Sequence, residues 1–208
     1  MTVRIGVVAF QGAWREHLRL LERLGAEGFP LRSGPLPEDL AGVVLPGGES
    51  TVIGRHLAAS GLSAALAAGI DAGLPALGTC AGAILLARRL EGPAPEGRIP
   101  RVPFLVRRNA WGGGAPQSGT QRDSFEGVLS WNDGKSSRGV FIRAPRFDEP
   151  EEGVTVLARF GEEPVALRWR NLFVAAFHPE LDGGGSLYFL FLDACRRFGN
   201  NAAVPRRT

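Results

Sequence analysis

The sequence predicts an α/β fold, a three-layer sandwich with a mostly parallel central sheet and an antiparallel extension. Three observations carry that expectation. Apolar runs of strand length recur through the first half without polar alternation, which suits strands buried on both faces. Each is followed by a turn and a helical pattern, the alternation that builds a parallel sheet. After residue 138 the pattern changes to short, closely spaced strands, as in an antiparallel meander. In order, residues 3–10 are β-rich and nearly all apolar. Residues 13–24 follow as an amphipathic helix, with an apolar stripe at Leu18, Leu21 and Leu24 and Gly25 as its stop. Residues 42–45 read as a second buried strand, 51–59 and 62–72 as helices, 74–78 as a third strand and 81–90 as a helix. The texture then shifts. Residues 92–127 are rich in Pro, Gly and Arg, and 112–120 read as a flexible excursion. Short strands follow at 139–142, 155–160, 164–169 and 172–177, and a last helix at 187–198. The expectation is a single domain over 1–198 with a polar, frayed tail over 199–208.

Composition narrows the function classes. The 208 residues are 44% hydrophobic and 22% charged, ordinary for a soluble globular protein. Lys and Arg number 24 against 21 Asp and Glu, a net charge of +3. So slight a balance favours neither nucleic acid nor an anionic membrane. The basic run 98–108 also lacks the interleaved aromatics of a stacking surface. No apolar stretch has the length of a membrane span, and the N-terminus reads as a strand rather than a signal peptide. The cytoplasm is the expected location, with both thiols reduced. Two cysteines cannot build a disulfide framework or a Cys-rich zinc site, and no His/Cys/carboxylate cluster has metal-ligand spacing, so no metal is expected.

With two Cys and three His, thiol or imidazole chemistry has few candidates. Gly78-Thr79-Cys80-Ala81-Gly82 follows a strand pattern and opens a helix pattern. This is the form of a nucleophile elbow with Cys in place of Ser. The turn is so tight that side chains two residues either side of the nucleophile would collide, which explains the glycines. A helix N-terminus favours thiolate, and the Ala81 N–H is placed to face an oxyanion. Cys195, on an amphipathic helix, reads as a core residue.

A thiol needs a base. His17 and His56 lie in helical patterns among polar neighbours and read as solvated, so replacing His17 is expected to leave the chemistry intact. His178 follows an apolar strand and opens His178-Pro179-Glu180. In an extended segment, residues two apart point the same way, so Glu180 is placed to fix the His178 tautomer. That completes a Cys–His–acid triad. Pro46-Gly47-Gly48-Glu49-Ser50 follows the second strand. Its glycines let backbone N–H groups turn towards a ligand at the edge where the elbow also opens. Arg107-Arg108-Asn109 and Phe141-Ile142-Arg143-Ala144-Pro145 each offer a bidentate clamp for a carboxylate or, equally, a solvated strand end.

Together these motifs resemble the class I, triad-type glutamine amidotransferases, whose sheet is flavodoxin-like. Further segments are similar to the glutaminase subunits of pyridoxal 5′-phosphate synthase. They are Phe10-Gln11-Gly12, Arg15-Glu16-His17, Arg107-Arg108-Asn109-Ala110, Asp123-Ser124-Phe125-Glu126 and Val140-Phe141-Ile142-Arg143-Ala144-Pro145. The resemblance spans about residues 3–198. It implies that Cys80 attacks the side-chain amide of L-glutamine, His178 moves the protons and Glu180 orients His178. It implies an oxyanion hole from the N–H groups of Gly48 and Ala81, and glutamine contacts from Gly48, Glu49, Ser50, Arg108, Ile142 and Arg143. It implies a hetero-oligomeric complex in which ammonia passes to a (β/α)8-barrel synthase, with Gln11 and the first helix at the docking face. Pyridoxal phosphate is then a pathway product, and no cofactor is expected on this chain. Three segments depart from the family pattern: Trp111 with the longer stretch 112–122, the run 98–105, and Asp182-Gly183-Gly184-Gly185 after the triad. The rivals are another class I amidotransferase, such as the one feeding imidazole glycerol phosphate synthesis, a non-catalytic regulator of the same fold, and a Cys hydrolase with another substrate. The Phe141–Pro145 segment opposes the first, and the intact triad opposes the second.

Overall fold

The computed structural model describes residues 2–108, 124–148 and 150–202. Its elements run β1 (Arg4–Val8), α1 (Trp14–Arg23), β2 (Glu27–Leu31), β3 (Gly42–Leu45), α2 (Ser50–Ala59), α3 (Leu62–Asp71), β4 (Ala76–Thr79) and α4 (Ala81–Leu86). There follow β5 (Ala87–Leu90), β6 (Val102–Arg107), β7 (Phe125–Trp131), β8 (Ser136–Phe141), β9 (Arg146–Asp148), β10 (Thr155–Phe160), β11 (Glu163–Trp169) and β12 (Leu172–Ala175). A 3-10 turn at Pro179–Leu181 leads to α5 (Gly185–Ala202).

Nine strands form the main sheet in the order β2-β1-β3-β4-β12-β11-β10-β7-β8. The half from β2 to β12 is parallel. The half from β11 to β8 is the expected antiparallel extension. Strand β12 is the joint, antiparallel to β11 but parallel to β4. Every residue of β3, β4 and β12 is buried, which is why these strands read as unbroken apolar runs. The helices split between the faces. His17 of α1 meets Tyr188 of α5 on one, and α2 packs with α3 and α4 on the other. Right-handed crossovers from a central β1–β3 pair impose that division. Among the described residues no helix is long and apolar enough to cross a membrane.

The structure corrects several boundaries. The helix expected over 81–90 stops at Leu86, and Ala87–Leu90 becomes a strand paired with β6. Its exposed Arg88 and Arg89 reach Glu151 instead of continuing a helical face. With β9, β5 and β6 make a separate three-stranded sheet. Strands β2, β6, β7 and β9 were not expected. In β2 and β6, Gly28, Pro30 and Pro103 break the usual strand composition; β2 sits at a sheet edge, where proline is tolerated. Helix α5 begins before Leu187 and runs past Gly199 to Ala202. The excursion expected at 112–120 and the end of the tail lie outside the described residues.

The elbow depends on close packing of α4 against β3. A Cβ on Gly82 would stand 1.9 Å from the Leu45 carbonyl oxygen, which is backbone and cannot yield. Gly82→Ala should therefore cost about 1–3 kcal/mol of stability or more, read as a lowered urea midpoint; an unchanged midpoint would count against this packing.

Candidate active site

The C-terminal ends of β3, β4 and β12 bring the Gly47–Gly48 loop, Cys80 and His178 together. Cys80 stands between β4 and α4 with φ 47° and ψ −101°. This left-handed conformation in a non-glycine residue typically costs about 1–3 kcal/mol and marks functional turns. The elbow's glycines have the predicted reason: a Cβ on Gly78 would lie 2.7 Å from the Gly82 backbone. Cys80 is only 6% exposed, and its thiol donates to the Ile142 carbonyl at 3.8 Å.

His178 enters from the strand beside β4. Its backbone N–H donates to the Val140 carbonyl at 2.8 Å, tying it to β8. Its Nδ1–H donates to Glu180 Oε1 at 2.6 Å. The segment is not extended as the sequence suggested. Pro179 starts a 3-10 turn, closed by the Leu181 N–H on the His178 carbonyl at 3.2 Å, and this turn brings Glu180 beneath the ring. Burial alone would lower the His178 pKa, but hydrogen bonds to Cys80 and Glu180, with the Glu180 charge, push it up to about 10. Burial would likewise raise the Glu180 carboxyl, yet the His17 and His178 rings facing it hold it below the ordinary carboxylate range.

The Gly47–Gly48 loop lies against the same ring. A Cβ on Gly47 would stand 2.3 Å from His178 Cε1, so only glycine allows the approach. The Gly47 carbonyl accepts from the Ala13 N–H at 3.1 Å, so the start of α1 sets the orientation of the peptide that carries the Gly48 N–H. Gln11 Oε1 accepts from the Glu49 N–H at 2.7 Å. The Glu49 carboxylate caps α2 by accepting from the Thr51 N–H at 3.3 Å, and Ser50 is buried behind it. Ala81 is the buried first residue of α4. Ile142 is beside the thiol, and Arg143 follows it in a left-handed conformation, φ 45°. Arg108 lies just past β6, with its guanidinium on the Pro93 carbonyl. Asn109, Ala110 and Asp123 lie outside the described residues.

One sequence expectation fails outright. His17 is not solvated but fully buried. Its Nδ1 meets the Tyr188 hydroxyl, and its Nε2 lies 3.2 Å from Thr79 Oγ1 and 3.4 Å from Glu180 Oε2. The signal was present, because His17, Leu20, Leu21 and Leu24 share the i, i+3, i+4, i+7 face. The stripe through Leu18 was the wrong one, since α1 buries His17, Leu20 and Leu21. Tyr188 was missed too, although it is the chain's one tyrosine and sits in an apolar helix. His56 is exposed as expected and stacks on Phe10. Cys195 is a core residue, its thiol pushed up by burial.

Residues 7–197 match the model of the SNO glutamine amidotransferase family. A protein of Frankia alni named pyridoxal 5′-phosphate synthase subunit PdxT is 44% identical over 95% of this chain and 97% of its own length. Its namesake from Pelotomaculum thermopropionicum is 43% identical over 96% and 98%. A solved structure titled as a glutamine amidotransferase superposes with TM-score 0.84 at 39% identity, covering 92% of this chain and 98% of its own. The PurLQS structure from Thermotoga maritima, at 18% identity and TM-score 0.69, shares the fold.

The raised His178 pKa has a sign in stability. Its contribution is complete below the unfolded value near 6.5 and is lost as pH rises through about 10. The melting temperature should fall across that window, and His178→Gln should flatten the fall; equal slopes would contradict the charged His178–Glu180 pair.

Proposed function

The chain belongs to the SNO glutamine amidotransferase family, and from that premise we propose how its residues do the work of the glutaminase subunit of a pyridoxal 5′-phosphate synthase. It hydrolyses L-glutamine to L-glutamate and ammonia and serves a synthase partner. The observation that carries the site assignment is the buried line from the strained elbow Cys80 to His178 to Glu180, closed by the 2.6 Å Nδ1–H···Oε1 bond.

Cys80 Sγ attacks the side-chain carbonyl carbon of glutamine. The elbow presents the sulfur at the mouth of α4, where the Ala81 N–H and the Gly48 N–H take the developing oxyanion. His178 carries the proton displaced from the thiol and gives it to the departing nitrogen, so ammonia leaves and a glutamyl thioester remains. The same ring then takes a proton from water, the hydroxide adds to the thioester, and glutamate departs as the thiol is restored. Glu180 stays ionised throughout and holds the ring in the tautomer that points Nε2 at sulfur.

Glutamine lies between the Gly48-Glu49-Ser50 loop and the Ile142–Arg143 turn, with Arg143 and Arg108 pairing its α-carboxylate. The 3.8 Å contact of Cys80 with the Ile142 carbonyl supports that turn as the near wall. Ammonia passes to a synthase with a (β/α)8 barrel in a hetero-oligomeric complex, docked over Gln11 and α1. The reading needs no metal or cofactor, nucleic acid or membrane, and residues 1–198 act as one domain in the cytoplasm.

Wild type mixed with a synthase subunit from the same organism should release glutamate. Cys80→Ala should release none above background, and His178→Asn should lose roughly 10³-fold or more in kcat. Release that persists in Cys80→Ala would defeat the assignment.

A further inference from the structure

Among the described residues outside the triad, one buried cluster of titratable groups is left unused by the mechanism: His17 of α1, Tyr188 of α5 and the second oxygen of Glu180. Glu180 Oε1 receives the His178 Nδ1–H, but Oε2 is buried and, among the described residues, has no hydrogen-bond partner of good geometry. A carboxylate oxygen enclosed without a donor is expensive. What faces it is His17 Nε2, at 3.4 Å. We infer that His17 is a positioning residue for this reaction: its Nε2–H holds Glu180 Oε2, and the Tyr188 hydroxyl, donating to Nδ1, locks the ring in the tautomer that permits this. The inference rests on the triad reading above.

The tautomer follows from the neighbours. Tyr188 is fully buried and, with burial and Glu180 both raising its pKa, stays a phenol. Were Nδ1 the protonated nitrogen, the Nε2 lone pair would face the ionised Glu180, a repulsive contact. With the hydrogen on Nε2, the ring donates towards Glu180 Oε2 and Thr79 Oγ1, the latter at 3.2 Å. Burial pushes His17 below its ordinary pKa, against the pull of Glu180 and Glu16 and with the push of His178, so the ring works as a neutral donor. The line then runs Tyr188–His17–Glu180–His178–Cys80, each proton assigned. Threonine at position 79 and tyrosine at 188 acquire a reason, since each supplies oxygen to the same ring.

The test uses the complex with the synthase. His17→Leu should lower kcat roughly 10- to 100-fold, the cost of losing one hydrogen bond to a buried charge, with KM within about threefold. Without the donor, Glu180 protonates more easily, so the acid limb of the pH–rate profile should move up by about one unit. His17→Gln, whose side-chain N–H reaches the same oxygen, should recover most of both. A folded His17→Leu with kcat within about twofold of wild type and an unmoved limb would overturn the inference. If His17→Leu does not fold, 15N NMR of the wild-type histidines decides: a proton on Nε2 of His17 supports the inference and one on Nδ1 alone overturns it. A wild type without Cys80-dependent glutamate release sinks the glutaminase assignment, whereas an active wild type indifferent to His17→Leu sinks only this inference.

Discussion

The site depends on one buried carboxylate. Glu180 is 4% exposed, in a position where an isolated charge would not persist. It persists because the His178 ring donates to one oxygen and the His17 ring faces the other. Together with the contact to Cys80, the hydrogen bond and charge of Glu180 push the His178 pKa up, and the 3-10 turn starting at Pro179 brings the carboxylate there. Three distant stretches of chain meet at this group: α1 through His17, the turn after β12 through His178 and Glu180, and α5 through Tyr188. The fold makes that meeting possible by placing β12 beside β4 in parallel, so the strand that ends in Cys80 and the strand that leads to His178 open on one edge.

Helix α1 has two attachments to the chemistry. At its start the Ala13 N–H holds the Gly47 carbonyl, and one turn on His17 reaches Glu180. The Gly47–Gly48 loop and the Glu180 carboxylate are therefore referred to the same rigid element. A helix with polar residues on its outer face and these contacts on its inner one links the surface of the molecule to both halves of the site.

The parallel half of the fold was legible because its strands are buried on both faces, so an unbroken apolar run such as Val43-Val44-Leu45 has no other reading. The cluster of Cys80, His178 and Glu180 was legible because the elbow needs glycines at fixed offsets and because scarcity left few candidates. What stayed hidden has physical causes. Strands β2 and β6 carry Gly or Pro and take their conformation from tertiary pairing rather than propensity. Arg88 and Arg89 suit a helix as well as an exposed strand, so the end of α4 was set by the partner strand β6. His17 was misplaced because polar neighbours at Arg15, Glu16 and Arg19 mask a buried position on the other face. Its partner in burial is 171 residues away in sequence, at Tyr188, and no local pattern reports that.

The central claim is that the Glu180 charge, alongside the contact with Cys80, raises the pKa of His178. The direct measurement is an NMR pH titration of the His178 ring in wild type and in Glu180→Gln, which keeps the shape of the side chain and removes its charge. In wild type the ring should stay protonated to about pH 10. In Glu180→Gln its midpoint should drop by about 1–3 units, with the remaining histidine signals in place. A His178 midpoint that is the same in both proteins would contradict the account.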